Sequence, residues 1–270
     1  MHDKLFNIRQ LPTSLLKHLD KLIVNRIGNK PDAYMITRDI IGHVDPHTCY
    51  QLVFHDSSFM LREIDSKEFT IPARNKNAST PPTHALLTGH WINEESIFID
   101  NANILGGMGM LHLDEHDDGK IPVIDANAQD LAFYNAYLLS EGSIVQFESN
   151  TILPLTDVSV GKDYVHHFLT QKEHGGGEYI EYHDQPHLWL PKSPQCSGHI
   201  LLGKQEQDKY YFTGFRIPYG HAVYLSPYTL HADPYLIGDY VVVYTVTENY
   251  STVLFQHKEK THLEFTEVAC

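Results

Sequence analysis

Apolar positions recur along this chain at two periods, and the period changes part-way. Residues 12–27 place Leu15, Leu16, Leu19, Leu22 and Ile23 at helical spacing behind Thr13 or Ser14, which predicts an amphipathic helix. A second helix is predicted over residues 125–139, capped by Asp125 and ended by Gly142. Between them, short apolar runs at 50–54, 59–64 and 96–99 have strand character and are broken by Gly, Pro and Asn. Residues 73–84, rich in Asn, Thr and Pro, predict an exposed loop. From residue 143 onward the pattern is almost purely β, with strands predicted at 143–147, 164–169, 178–189, 199–203, 209–217, 222–225, 239–247 and 251–257. Short strands separated by turns at such regular spacing predict a closed antiparallel sandwich or barrel. The expected division is an N-terminal α+β region, 1–142, and a β-barrel region, 143–270. The strand-rich stretch 40–125 also admits a degenerate second barrel.

Composition narrows the partners. The chain has 270 residues with 20 basic and 34 acidic side chains, a net charge of −14. This acidity argues against a nucleic-acid groove and against docking on an anionic membrane. It suits a cation or a polar small molecule, and it also serves plain solubility. The cysteines Cys49, Cys196 and Cys270 are too few and too scattered for a disulfide framework or a zinc knuckle. The N-terminus leads into no apolar signal core, and no run approaches a membrane span, so a cytoplasmic location is expected. Histidine, with 19 copies, is the outlier and directs attention to metal sites.

Two segments carry the chemistry. In 216–233, Gly220 is followed eleven positions later by His231, with Pro227 between them. This resembles the second motif of the cupin superfamily, although Thr229 stands where the family has a second glycine. The first cupin motif runs Gly, five residues, His, one residue, His, three or four residues, Glu. Here Gly175 is followed at the same spacing by Glu181, His183 and His187, with the residue types permuted and Pro194 in place of the closing glycine. The resemblance covers residues 143–257. It implies a double-stranded β-helix with one metal ion in the barrel mouth, and a homodimer. It names no single reaction, because members are dioxygenases, isomerases, lyases, decarboxylases or binding proteins.

Geometry tests the permuted set. Glu181 and His183 are two apart, so they share a strand face with Cα atoms about 6.6 Å apart. His187 lies four residues beyond His183, about 13 Å along a straight strand, too far for two nitrogens on one ion. The strand must therefore bend, and Pro186 supplies a reason. With His231 from a neighbouring strand, the set Glu181, His183, His187 and His231 suits one divalent transition metal: Fe, Mn, Ni, Zn or Co. Three alternatives stand beside it. One uses the three histidines alone with Glu181 as acid or base, one uses Gln185 for Glu181, and one is a metal-free barrel with hydrogen-bonded histidines.

Inward-facing candidates around the site are Tyr179, Tyr182, Trp189, Arg216, Tyr219, Tyr224 and Tyr228. Glu181, Arg216 and Tyr224 are the catalytic candidates, Arg216 as a fork for a substrate carboxylate or phosphate. His199 and His221 are expected beside the site or at the surface. His174 with Gly175, Gly176 and Gly177 forms an entrance loop or a plain turn. Of His166 and His167, in a β-like run, only one is expected to face inward. His112 and Asp114 have the His-x-Asp form of iron/2-oxoglutarate oxygenases, but no basic anchor follows His231 until Lys258. The neighbouring residues 112–118 also read as a solvated acidic turn. His43 and His47 form a second tempting pair. No dinucleotide, Walker, Gly-x-Ser-x-Gly or Cys-x-x-Cys motif appears. The expectation is a metal-dependent enzyme acting on a small polar, oxygen-rich molecule. A non-catalytic ligand-binding or sensing cupin, an oxygenase using His112 and Asp114, and a scaffold are the alternatives.

Overall fold

The computed structural model of the chain describes residues 11–17, 24–26, 34–56, 58–65, 80–93, 109–114, 119–171, 176–257 and 262–268. Ten strands precede residue 161: β1 (Asn25–Arg26), β2 (Met35–Val44), β3 (Cys49–His55), β4 (Ser58–Ile64), β5 (Ala85–Ile92), β6 (Met110–Leu113), β7 (Lys120–Asp125), β8 (Ala136–Ser140), β9 (Ile144–Gln146) and β10 (Leu153–Val160). Ten follow: β11 (Tyr179–His183), β12 (His187–Pro191), β13 (Ser197–Gly198), β14 (Ile200–Glu206), β15 (Lys209–Arg216), β16 (His221–Leu225), β17 (Leu230–Ala232), β18 (Leu236–Val243), β19 (Tyr250–His257) and β20 (Glu264–Glu267). Helical structure among the described residues comprises α1 (Thr13–Leu16), α2 (Ala128–Phe133) and a π-turn at Val165–Leu169. The molecule is mostly β, as the apolar alternation predicts.

One sheet runs β1-β2-β10-β18-β12-β16-β8, with β13 attached to β18. The other runs β14-β17-β11-β19-β6-β5-β15-β7-β20. In it, β14 and β15 also pair with each other, from Ile200↔Phe215 to Glu206↔Lys209. That pairing closes β14-β17-β11-β19-β6-β5-β15 into a seven-stranded barrel without an open edge. A third, three-stranded sheet joins β4, β3 and β9. Strand pairing crosses residue 142 in both large sheets, through β2 with β10, β8 with β16 and β5 with β15. The main core gathers Trp189, Tyr210, Phe212, Phe215, Val242 and Phe255, among others, from both large sheets.

Several elements differ from the sequence expectation. The helix expected over 125–139 is only α2, because Asn127 caps it by accepting the Asp130 N–H at 3.0 Å. It stops at Asn135, which adopts φ +58°, and the rest of the run pairs as β8 with β16. The helix expected over 12–27 is described only at α1, and Asn25 and Arg26 pair with β2 as a strand. The strand expected over 164–169 is the π-turn: Thr170 N–H donates to the Val165 carbonyl, and Tyr164, Val165, Phe168 and Leu169 are buried at helical spacing. His166 and His167 are consequently both exposed, where one was expected inside. The run 178–189 is two strands broken at residues 184–186. The run 96–99, loop residues 73–79, residues 115–118 and His174 with Gly175 lie outside the described residues.

Candidate metal centre

The break at residues 184–186 solves the distance problem posed by His183 and His187. The chain does not bend within one strand; it crosses from the barrel sheet, where β11 ends at His183, to the opposite sheet, where β12 begins at His187. Asp184 fixes the crossing by accepting hydrogen bonds from Thr247 Oγ1 at 2.6 Å and Asn249 Nδ2 at 2.9 Å. The Pro186 carbonyl accepts another from Thr245 Oγ1 at 2.9 Å. On the barrel side, β17 places His231 directly across from Glu181. The residues therefore converge between the two sheets.

His183, His187 and His231 each offer a ligand nitrogen, and these atoms lie within 4.8 Å of one another. All three side chains are buried. His187 Nδ1 lies 3.3 Å from His231 Nε2, and Glu181 Oε1 lies 3.5 Å from the same nitrogen. Two ligand atoms bound about 2.1 Å from a tetrahedral ion are separated by about 3.4 Å, so the His187–His231 spacing matches neighbouring positions around one centre, while Glu181 stands beside the three-histidine group and is not one of its members. The geometry can hold a metal ion.

Backbone carbonyls orient two of the imidazoles. His183 Nδ1 donates to the Gln185 carbonyl at 2.6 Å, and His231 Nδ1 donates to the Thr229 carbonyl at 2.9 Å. A carbonyl can only accept, so each Nδ1 carries a hydrogen, and in the neutral ring Nε2 is then the lone-pair atom, as in metal-binding histidines generally. The Nε2 atoms of His183 and His187 are buried without a hydrogen-bond partner among the described residues. The His183 Nε2 lone pair is costly unless something accepts it.

The charges follow from the same contacts. Burial, with the nearby His231, pulls His183 down to about 4. Burial also holds His187 well below the ordinary imidazole range. Both are therefore neutral near pH 7, the form that ligates metals. Burial opposes charge on His231 and on Glu181 too, but their mutual hydrogen bond and attraction outweigh it. The His231 pKa is raised and that of Glu181 is lowered. Thr252 Oγ1 donates to Glu181 Oε2 at 3.0 Å, which leaves Oε1 facing His231. Asp233, two residues after His231, is buried and accepts a 2.6 Å hydrogen bond from the Tyr179 hydroxyl.

The other expected site residues scatter. Tyr224 pairs with Leu188 while its neighbour Leu225 pairs with His187, so strand alternation puts Tyr224 on the opposite face from His187. There it packs with Phe147 and Tyr137, and its hydroxyl accepts the Glu148 N–H at 3.0 Å. The guanidinium of Arg216 is engaged by the carboxylates of Asp125 and Glu267 and by the carbonyls of Val123 and Val268. A fork already closed on two carboxylates of its own chain is not open to a substrate anion. The Gln185 side chain accepts from Ser149 Oγ at 2.8 Å and donates to Asn150 Oδ1 at 3.1 Å, so it serves the site through its carbonyl.

Tyr179 and Trp189 share the face of the histidines, whereas Tyr182 packs on Trp91 and Tyr219 on Phe59. Tyr228 is 65% exposed, and its N–H holds the His183 carbonyl at 2.7 Å. His199 stacks on Tyr235 with ring centroids 5.1 Å apart, and His221 is half-buried on β16. Among the described residues, His43, His47, His112 and Asp114 join no group of three potential metal ligands. Sequence reasoning missed Thr252, Asp233 and the Thr229 carbonyl. Asp233 was findable, since it shares a strand face with His231; Thr252 is placed by the register of β11 on β19, which leaves no local signal. No helix among the described residues is long and apolar enough to cross a membrane. No protein-family model, curated protein or solved structure matches the chain.

Proposed function

We propose that this chain is a metal-dependent enzyme of cupin type, with His183, His187, His231 and Glu181 holding one divalent transition metal. The observation that carries the reading is the set of three buried imidazoles converging from two sheets, two of them aimed by backbone carbonyls. Strand order supports the double-stranded β-helix. Leaving out the two-residue β13, the strands from β10 to β18 run first-eighth-third-sixth in one sheet and second-seventh-fourth-fifth in the other. That is the order of an eight-stranded jelly roll, the architecture shared by cupins.

The substrate in this reading is a small polar, oxygen-rich molecule, and the reaction is of dioxygenase, isomerase or lyase type. A bound divalent ion supplies Lewis-acid polarisation of a substrate oxygen. The chain contributes neutral His183 and His187, an ionised Glu181 whose Oε1 faces the ligand nitrogens, and a wall that excludes water. Deep burial of all four side chains favours a second reading, a ligand-binding or sensing cupin with a filled metal shell and no turnover.

Metal content by mass spectrometry separates these readings from a metal-free barrel. Near-stoichiometric metal in the native protein, lost in the His183→Ala, His231→Ala double variant, is the expected result. Metal-replete growth that yields no bound metal sinks the proposal.

A further inference from the structure

Among the unpartnered polar atoms near the three histidines, the indole nitrogen of Trp189 cannot be satisfied by a cation in any protonation state. Trp189 follows His187 by two positions on β12, so the two side chains point the same way, with ring centroids 5.8 Å apart. Trp189 is fully buried, and its indole Nε1 has no hydrogen-bond partner among the described residues. The Nε2 atom of His183 is unpartnered too, but its lone pair suits a metal ion. An indole nitrogen is a donor only, so a metal does nothing for it.

Its surroundings make the donor conspicuous. Trp189 pairs in register with Val242 on one side and Val223 on the other, and Tyr240 packs against its ring. In such company a phenylalanine would satisfy the core without stranding an N–H. The other tryptophan, Trp91, shows the ordinary solution: its Nε1 donates to Ser251 Oγ at 3.0 Å and to Asn93 Oδ1 at 3.2 Å. Charge points in the same direction. A divalent ion with Glu181 as its one carboxylate ligand keeps a positive charge within its ligand set, and buried charge calls for a partner.

We infer that the ligand of this centre is a small oxyanion, a carboxylate in its simplest form, bound between the metal ion and the indole N–H of Trp189. The inference rests on the metal-centre reading above and gives its substrate a class: the molecule carries a carboxylate or comparable oxyanion that enters the space between the sheets. One oxygen meets the ion, an oxygen accepts from Trp189, and the negative charge completes neutralisation of the site.

Formate and acetate are suitable probes on the full chain. A ¹⁵N–¹H spectrum contains two indole signals, one for each tryptophan, and a Trp91→Phe variant assigns them. With zinc-loaded protein, adding either anion is expected to move the Trp189 signal and leave the Trp91 signal in place. With cobalt-loaded protein, Trp189→Phe is expected to take up metal normally yet bind the anions at least about tenfold more weakly, the effect of losing one hydrogen bond to a charged group. The inference is overturned if the anions fail to bind, if they change the cobalt absorption while the Trp189 signal stays fixed, or if Trp189→Phe binds them as tightly as the native chain. Failure of the native protein to take up zinc or cobalt overturns the metal-centre reading and this inference together, so the two failures are distinguishable. The spectrum of the native chain decides the matter even if Trp189→Phe does not fold.

Discussion

Glu178 and Glu181 stand three residues apart at the start of the same strand region, both buried, and the protein treats them in opposite ways. Glu178 Oε2 accepts from the Tyr235 hydroxyl at 2.7 Å and the Leu263 N–H at 3.0 Å, and both donors are neutral. Burial outweighs these bonds and pushes its pKa up to about 7. Glu181 is buried almost as deeply, yet a hydrogen bond and attraction to His231, with Thr252 as a further donor, lower its pKa. Burial alone therefore does not decide the charge of a carboxyl group here; the partners facing it do. One glutamate is a structural acid close to its neutral form, and the other is an anion held at the ligand nitrogens.

Removing the partners should expose this difference most strongly. His231→Ala leaves the Glu181 carboxylate buried without its imidazole partner and opens a cavity, and metal-free protein is expected to lose about 3–5 kcal/mol in urea unfolding at neutral pH. Tyr235→Phe takes only a neutral donor from Glu178 and should cost about 1–2 kcal/mol in the same assay. Equal losses would contradict the assignment of the two charge states.

The pH dependence of Glu178 gives the next effect. Its folded pKa of about 7 lies above the ordinary carboxyl value of 4.5, so the folded chain keeps a proton that the unfolded chain has released. The associated stability is fully present below pH 4.5 and disappears as pH rises to about 7, amounting to at most about 3 kcal/mol. Glu178→Gln should remove that slope, seen as a native-minus-variant stability difference that shrinks across this window. A difference that grows with pH would reverse the sign and refute the assignment.

Thr252→Val sharpens the other side of the comparison with the smallest effect. Losing the hydroxyl that occupies Glu181 Oε2 should cost about 1 kcal/mol of stability. It should also weaken cobalt binding about tenfold by freeing the carboxylate to rotate. Unchanged affinity in a cobalt titration would show that Thr252 does not position the carboxylate.

These residues also mark what the chain discloses before folding. The grouping of His183, His187 and His231 was legible because strand alternation and motif spacing are local properties, and Pro186 announced the break between the first two. The strand order around them was legible only as a class, since pairing partners are chosen across the whole chain. Tyr224 and Arg216 fell elsewhere for the same reason. A shift of one residue on β16 sends a side chain to the other face, and the acids that claim Arg216 arrive from β7 and β20. The π-turn at Val165–Leu169 defeated the reading because short apolar runs suit either period. Thr252 and the carbonyls of Gln185 and Thr229 carry no residue-type signal for their roles.

The closed ring of strands has a consequence for how the chain comes to be folded. Its β6 pairs in parallel with β19, joining Leu111 to Phe255, and the neighbouring β7 takes β20, joining Ile121 to Phe265. Such distant pairings must be found after a large loss of chain entropy, and topologies dominated by them fold slowly. During synthesis, β5 and β6 emerge long before the strand that completes the ring, so their apolar edge waits for residues 250–257. Until that stretch arrives, the nascent chain presents an unpaired sheet edge, and its exposure to aggregation is set by the time translation needs to reach Tyr250.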